Sequence, residues 1–294
     1  MGASLFDKLQ LFMASYQLWG GAVVAGMVAG WVCGFLGVYI ILHRIVFVSA
    51  AMSEVSSLGV MVAFWLAQMQ AVNQEQHTED VLPLIFAALF TGIFAAAMAG
   101  QASARIADRS KSAESFIGAV YLLSTAGLIV IGDRVTQGAH DVANVLFGNT
   151  VIVDNGHLML LLAVCIPVFL FHLVFKKDIL FISFDPVMAL TLGYPVGLLR
   201  VLLLVTLGIV ISIGTRVIGA LPIFSLSVLP AAACLTLFKD TRKTFWASAI
   251  LGALSAFLGY LVSFLFSFPT GACITLVAGG FLILSRGIQK IRGE

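Results

Sequence analysis

Nine apolar stretches, each close to the length needed to cross a lipid bilayer, recur along the chain. A transmembrane helix needs roughly 20 predominantly apolar residues. The stretches run approximately over Leu18–Leu42, Phe47–Ala71, Leu82–Ala104, Ser115–Gly132, His157–Phe175, Val196–Thr215, Ile218–Phe238, Phe245–Phe266 and Thr270–Ser285. A Ser-Phe-Pro-Thr-Gly turn signal divides the last two. The pattern predicts an all-α bundle of about nine transmembrane helices.

The composition excludes a water-soluble domain. Hydrophobic residues make up 61% of the 294 positions and charged residues only 10%, whereas a soluble domain carries about 25% charged residues. The mean hydropathy is +1.08. A net charge of +2 gives no reason to expect a nucleic-acid partner. We therefore expect one transmembrane domain over residues 1–294, surrounded by membrane lipid.

The distribution of Lys and Arg predicts the orientation, because cytoplasmic loops carry an excess of both. If the N-terminus lies outside, only three of the 16 basic residues face outward: Lys8, Arg134 and Arg216. The other 13 fall in inward-facing segments, so the pattern favours an outer N-terminus and a cytosolic C-terminus. Apolar residues at helical spacing in residues 1–16 indicate a short interfacial helix.

Glu54 is the one formal charge inside the second apolar stretch. A charge in the middle of a membrane helix costs roughly 2.5–3.5 kcal/mol on insertion scales, and such residues commonly serve a function. Helical spacing places Ser53 and Ser57 on the same face as Glu54. We expect Glu54, helped by these two serines, to line a cation path. The alternative is a protonated Glu54 that only holds two helices together.

The inner segment over residues 178–199 is amphiphilic, and we expect it not to span the membrane. Asp185 and Pro186 can begin a short helix, and Gly193 can end it. Aromatic and Met side chains around this helix would suit a groove on a partner protein. From the residues alone, a docking element and a plain connector are equally acceptable.

The sequence gives no sign of an enzyme. It contains no GxxxxGK[ST] phosphate loop, so ATP-driven transport would need a separate ATPase chain. The four cysteines lie inside apolar stretches and fit the role of small packing residues. No two histidines stand at metal-ligand spacing, and we expect no permanently bound cofactor.

Several short motifs, in order along nearly the whole chain, resemble the permease subunits of bacterial zinc and manganese ABC importers. These motifs are Gly37-Val38-Tyr39, His43-Arg44, Ser53-Glu54, Leu58-Gly59, Glu114-Ser115-Phe116-Ile117-Gly118, Leu146-Phe147-Gly148, Phe184-Asp185-Pro186 with Ala189 and Gly193, Arg216-Val217-Ile218-Gly219-Ala220-Leu221, and Leu229-Pro230-Ala231-Ala232. Each motif is weak by itself. Their shared order and spacing carry the resemblance.

The resemblance implies a homodimeric permease in the bacterial inner membrane that imports a divalent transition metal as substrate. It also implies two cytosolic ATPases and an extracytoplasmic metal-binding protein. Residues Phe184, Asp185, Pro186, Ala189 and Gly193 match the family's coupling helix, which docks on the ATPase.

The sequence departs from the family at the start of the second stretch. The family usually has Asp-Ala-x-Ser-His there, and Ala50 and Glu54 stand at the Asp and His positions. Oxygen ligands suit harder cations, whereas imidazole suits zinc. The departure leaves three interpretations open: a preference for manganese or ferrous iron, a rebuilt metal path, or a cargo other than a bare ion.

Three rival functions follow from the same residues. The first is an ABC permease for a chelated metal or a cobalamin-like cargo, in which Glu54 would be a gate or a structural group. The second is an ion-coupled secondary transporter, whose usual signs are several intramembrane charges and paired broken helices. The third is a membrane scaffold, which co-purification with an ATPase would distinguish from a permease.

Overall fold

A computed structural model describes residues 16–70, 81–104, 112–135, 142, 145–146 and 155–291. Over these residues the chain is helical and has no strand. The helices, in chain order, are α1 (Tyr16–Leu42), α2 (Val46–Gln70), α3 (Val81–Ala104), α4 (Ser112–Gly132), α5 (Asn155–Val174), α6 (Lys176–Phe184), α7 (Pro186–Thr191), α8 (Val196–Ile218), α9 (Ala220–Leu237), α10 (Thr241–Phe266) and α11 (Thr270–Ile291).

Nine of the helices in the described part of the chain are long and apolar enough to cross a membrane. They coincide with the nine predicted stretches, so the predicted helix bundle is confirmed. Large apolar side chains also point outward, such as Leu122 and Leu123 of α4, which are 67% and 71% exposed. A helix that is apolar on its outer face as well as its inner face is typical of a membrane span. The two exceptions, α6 and α7, are too short to cross.

The chain divides into two compact units. The first contains residues up to Val38, Phe147–Cys165 and Val217–Glu294, and the second contains Tyr39–Leu146 and Ile166–Arg216. The prediction of a single transmembrane domain over residues 1–294 stays a prediction. Residues 1–15 lie outside the described part, so the interfacial helix also stays a prediction, and Tyr16 begins α1.

Close packing of α1 against α10 organises the first unit. Gly30 of α1 lies directly against Gly252 of α10, where a Cβ on either residue would collide with the other's carbonyl group. One turn further along α1, the Ser248 hydroxyl donates to the Gly34 carbonyl oxygen at 2.5 Å. Small residues allow such approach in a membrane, where hydrophobicity does not drive helices together. The small residues of α1 therefore pack against one specific helix, α10.

The rest of the first unit is held by α9 and α11. Two hydroxyl pairs join these helices, from Thr236 to Ser285 at 3.0 Å and from Thr275 to Ser225 at 3.1 Å. The backbone of α11 also lies directly against Gly259 of α10. Hydrogen bonds between helices add to the close packing that stabilises a membrane bundle.

Helix α2 is the centre of the second unit. It packs against α3 through Gly59, which lies against the backbone of Phe86, and against α4 through Leu58, which covers Gly127. A buried cluster consisting of Val60, Met61, Ala87, Leu128 and Val145 fills the space beside it. These contacts hold α2, the helix that carries Glu54, in a fixed position within the unit.

Candidate functional site

Glu54 lies in the first half of α2 and faces α4. Its side chain is partly buried, and its Oε2 atom accepts a hydrogen bond from the Thr125 hydroxyl at 3.2 Å. The same hydroxyl lies 2.9 Å from the Tyr121 carbonyl oxygen, to which it also donates. Thr125 has one hydroxyl proton to share between two acceptors. Glu54 is therefore held in place but keeps unused acceptor capacity.

The two serines predicted to help Glu54 are buried beside it on α2. The Ser53 hydroxyl donates to the Ala50 carbonyl oxygen at 2.8 Å, and the Ser57 hydroxyl donates to the Ser53 carbonyl oxygen at 2.9 Å. Both protons are thus used within the helix, while each hydroxyl oxygen keeps lone pairs that can accept. The structure places the three predicted residues on neighbouring turns but shows no direct bond between Glu54 and either serine.

Thr125 of α4 was not predicted as a partner of Glu54, and neither were three further buried polar residues of α2 and α8: Ser56, Ser212 and Thr215. The Ser56 hydroxyl approaches the Ser212 carbonyl oxygen of α8 at 3.5 Å. The hydroxyl groups of Ser212 and Thr215 are buried and make no hydrogen bond with any residue that the structure describes. Serine and threonine inside an apolar span were the only sequence signal, and it does not identify partners.

The ligand chemistry available here is sparse. Within the described residues, no three His, Cys, Asp or Glu side chains gather into a group that could hold a metal ion. What α2 offers is one carboxylate, with the hydroxyl oxygens of Ser53 and Ser57 on the same helix and of Thr125 on α4. Such an oxygen-only set suits a hard or borderline divalent cation. With a single charged ligand, this set would hold such an ion only weakly.

The inner segment folds into two short helices. Asp185 caps the N-terminus of α7, where its Oδ1 atom accepts from the Met188 backbone N–H at 2.9 Å, and Pro186 is the first helical residue. At the other end Gly193 has φ of +81°, and the Gly193 N–H donates to the Leu190 carbonyl oxygen at 3.0 Å. The predicted short helix is therefore present between the predicted residues. Helix α6, immediately before it, was not predicted.

The surface of α7 is largely apolar and open. Ala189 is buried, whereas Val187 and Met188 are 62% and 53% exposed. Phe184, one residue before the cap, is 62% exposed. With six residues, α7 is too short to cross a membrane. The geometry fits a docking face for another protein, while the coupling role stays a prediction.

His43 connects the α1–α2 turn to this segment. Its Nε2 atom lies 2.7 Å from the hydroxyl oxygen of Ser183 in α6. The pKa of His43 is lowered from 6.5 to about 4, first because burial disfavours the imidazolium ion and second because the positive charge of Arg200 repels it. His43 is therefore neutral at physiological pH.

This lowered pKa predicts a loss of stability in mild acid. Between about pH 6.5 and 4 the unfolded chain binds a proton at His43 and the folded chain does not, so stability falls as the pH drops through that window. The expected loss is about 2 kcal/mol at pH 5. In detergent, the midpoint of thermal unfolding should fall when the pH is lowered from 7 to 5. This decrease should be a few degrees larger for the native protein than for His43→Gln. Equal changes in both proteins would contradict this assignment.

Comparisons with known proteins agree with this architecture. Residues 15–288 match the model of the ABC 3 transport family. The manganese transport system membrane protein MntC of Halalkalibacterium halodurans is 27% identical over 281 residues, which cover 95% of this chain and 89% of the relative. A probable iron transport system membrane protein of Haemophilus influenzae is 24% identical over 290 residues, which cover 98% of this chain and 99% of the relative.

A solved structure is similar as well. PsaBC from Streptococcus pneumoniae in complex with Fab matches with a TM-score of 0.76 and 25% identity, over 94% of this chain and 95% of that chain. The likeness extends along almost the full length of each protein. Together with the nine apolar helices of the described residues, it confirms the prediction of a multi-pass protein of the bacterial inner membrane.

Proposed function

Because the chain belongs to the ABC 3 transport family, we propose that it is the membrane-spanning subunit of an ATP-driven importer for a divalent transition metal. Family membership confirms the resemblance predicted from the motifs, and it makes the chain a transport protein rather than a catalytic enzyme. The substrate class is supported by the relatives, whose names specify manganese and iron transport.

The observation that carries the proposal is Glu54. It is a carboxylate inside a span, held by Thr125 and flanked by buried serine hydroxyls. We propose that Glu54, with Ser53 and Ser57, holds or gates the cation during alternating access. The Glu54 carboxylate stands where the family usually has histidine, and an oxygen ligand at that position favours manganese or ferrous iron over zinc.

The energy source is proposed to be a separate cytosolic ATPase that docks on α7. The docking surface would consist of the exposed Phe184 with Asp185, Pro186 and Gly193 at the two ends of α7, and the buried Ala189 would fix the helix to the rest of the protein. With the outer N-terminus that the distribution of Lys and Arg predicts, α7 would lie on the cytosolic side. An extracytoplasmic metal-binding protein and a second copy of the chain complete the proposed importer, embedded in lipid.

Cellular accumulation tests the function. Bacteria that lack their own manganese and iron importers would express this chain with its ATPase and binding protein, and the metal content of the cells would be measured. We expect manganese or iron content to rise only when all three proteins are present. Unchanged content of manganese, iron and zinc in cells with the full set would contradict the proposed function.

Removing the cap of α7 should weaken the attachment of the ATPase. Asp185→Ala leaves the Met188 N–H without its acceptor and costs about 1 kcal/mol of helix stability. Because α7 has only six residues, we expect about a fivefold loss of ATPase affinity, measured by titration of the purified membrane protein. Asp240→Ala is the matched control, since Asp240 caps the 26-residue α10 in the same way. Equal affinities for the two variants would argue against docking on α7.

A further inference from the structure

The turn that carries His43 has a fixed backbone geometry. The Ile45 N–H donates to the Ile40 carbonyl oxygen at 2.9 Å, and the Arg44 N–H donates to the Ile41 carbonyl oxygen at 3.0 Å. These two bonds form a Schellman motif, in which Arg44 takes the left-handed conformation with φ of +57°. The imidazole of His43 is thus presented by a closed turn rather than by a loose loop.

The direction of the hydrogen bond between His43 and Ser183 follows from the protons available. The Ser183 hydroxyl lies 2.6 Å from the Ile179 carbonyl oxygen of its own helix, which can only accept. With its single proton used there, Ser183 accepts from His43. His43 therefore carries its proton on Nε2 and donates a hydrogen bond to a residue 140 positions away in the sequence. A glutamine at this position would also offer an N–H donor.

Ser183 is firmly connected to α7. It belongs to α6, which is anchored by the buried Ile179 and Ile182. Two residues later, Asp185 belongs to both short helices. Its N–H donates to the Phe181 carbonyl oxygen at 3.1 Å and so ends α6. Its side chain accepts from the Met188 N–H and so begins α7. The rings of Phe181 and Tyr194 also meet, with centroids 5.4 Å apart, and so join α6 to the turn that follows α7. A displacement of α7 must move Ser183.

His43 is just as firmly connected to Glu54. Helix α2 begins at Val46, and the Ile45 carbonyl oxygen accepts from the Val48 N–H at 3.0 Å, so the turn continues directly into the helix. At about 1.5 Å per residue, Glu54 lies roughly 12 Å further along α2. No break interrupts the helix between Val46 and Gln70. A displacement of His43 along or around the helix axis must move Glu54.

We propose that His43 is a positioning residue that couples the movement of α7 to α2 through its hydrogen bond with Ser183. This inference rests on the proposed function, in which α7 docks an ATPase and Glu54 meets the cation. It adds the connection between them: one hydrogen bond joins two rigid segments that are otherwise far apart in sequence. If this bond is broken, ATP hydrolysis continues but less metal ion is transported for each ATP hydrolysed.

The test measures manganous ion taken up per ATP hydrolysed. The chain is reconstituted in proteoliposomes with its ATPase and binding protein, and both quantities are followed in native protein, His43→Leu, Ser183→Ala and the double variant. We expect uptake per ATP to fall about fivefold in each single variant, the effect of one ordinary hydrogen bond, and no further in the double variant. His43→Gln, which keeps a donor, should stay within about twofold of native.

A merely structural role would lower uptake and ATP hydrolysis together and leave their ratio unchanged. Ser285→Ala is the control, because it removes a hydroxyl pair between α9 and α11 without touching the α7 connection. Native ratios in His43→Leu and Ser183→Ala, or losses that multiply in the double variant, would overturn the coupling role. Failure of the native complex to take up manganous ion with ATP would instead overturn the proposed function, and the coupling with it.

Discussion

Replacing Glu54 with glutamine should lower ATP-driven uptake of manganous ion by about tenfold to a hundredfold. Glutamine preserves the size of the side chain and can still accept from Thr125, so the packing of α2 against α4 is retained. What disappears is the negative charge, and contacts to a charged group are worth about 1.5–3 kcal/mol. Initial uptake rates in proteoliposomes measure the effect.

Two controls separate loss of the cation contact from general damage. Glu114→Gln makes the same chemical change at an exposed residue in the first turn of α4 and should leave uptake unchanged. Thr125→Val removes the hydrogen bond to Glu54 but keeps the carboxylate, so its uptake should fall less than that of Glu54→Gln. Full uptake by Glu54→Gln would show that the cation does not depend on this carboxylate.

The second large effect concerns stability. Gly252→Ala should lower the free energy of unfolding by about 3 kcal/mol, because the new methyl group would occupy the position of the Gly30 carbonyl group. To relieve the collision α1 and α10 must move apart, and that movement would also stretch the hydrogen bond from Ser248 to Gly34. Thermal unfolding in detergent measures the loss as a lower midpoint.

Gly280→Ala is the matched control for this change. A Cβ at Gly280 of α11 has no atom of the described residues within 4 Å. Because alanine favours a helix by about 1 kcal/mol over glycine, this variant should be as stable as the native protein or slightly more so. If Gly252→Ala were equally harmless, α1 and α10 would not be packed backbone to backbone.

The membrane helices could be predicted from the sequence because their signal is local. A run of apolar residues of sufficient length specifies a span without any knowledge of its neighbours. The same holds for α7, whose beginning at Asp185-Pro186 and ending at Gly193 rest on capping chemistry within a few residues. Helix α6 was missed because Lys176, Lys177 and Asp178 continue directly from a span without a turn signal.

Partnerships between helices could not be predicted in this way. Gly26, Gly30 and Gly34 stand four residues apart, a spacing typical of close helix packing, but the spacing does not show that Gly252 is the partner of Gly30. Thr125 and Ser183 are ordinary hydroxyl residues in the sequence, and only the tertiary structure brings them to Glu54 and His43. These pairings arise from packing over long sequence separations, which no single-sequence pattern encodes.

The most direct measurement is uptake of bare metal ions into proteoliposomes that contain this chain, its ATPase and its binding protein. Manganous, ferrous and zinc ions would be offered separately, with ATP supplied or withheld. The proposed function predicts uptake of manganous or ferrous ion that depends on ATP and is largely lost in Glu54→Gln. A complex that hydrolyses ATP but moves none of the three ions would contradict it and would favour a chelated cargo.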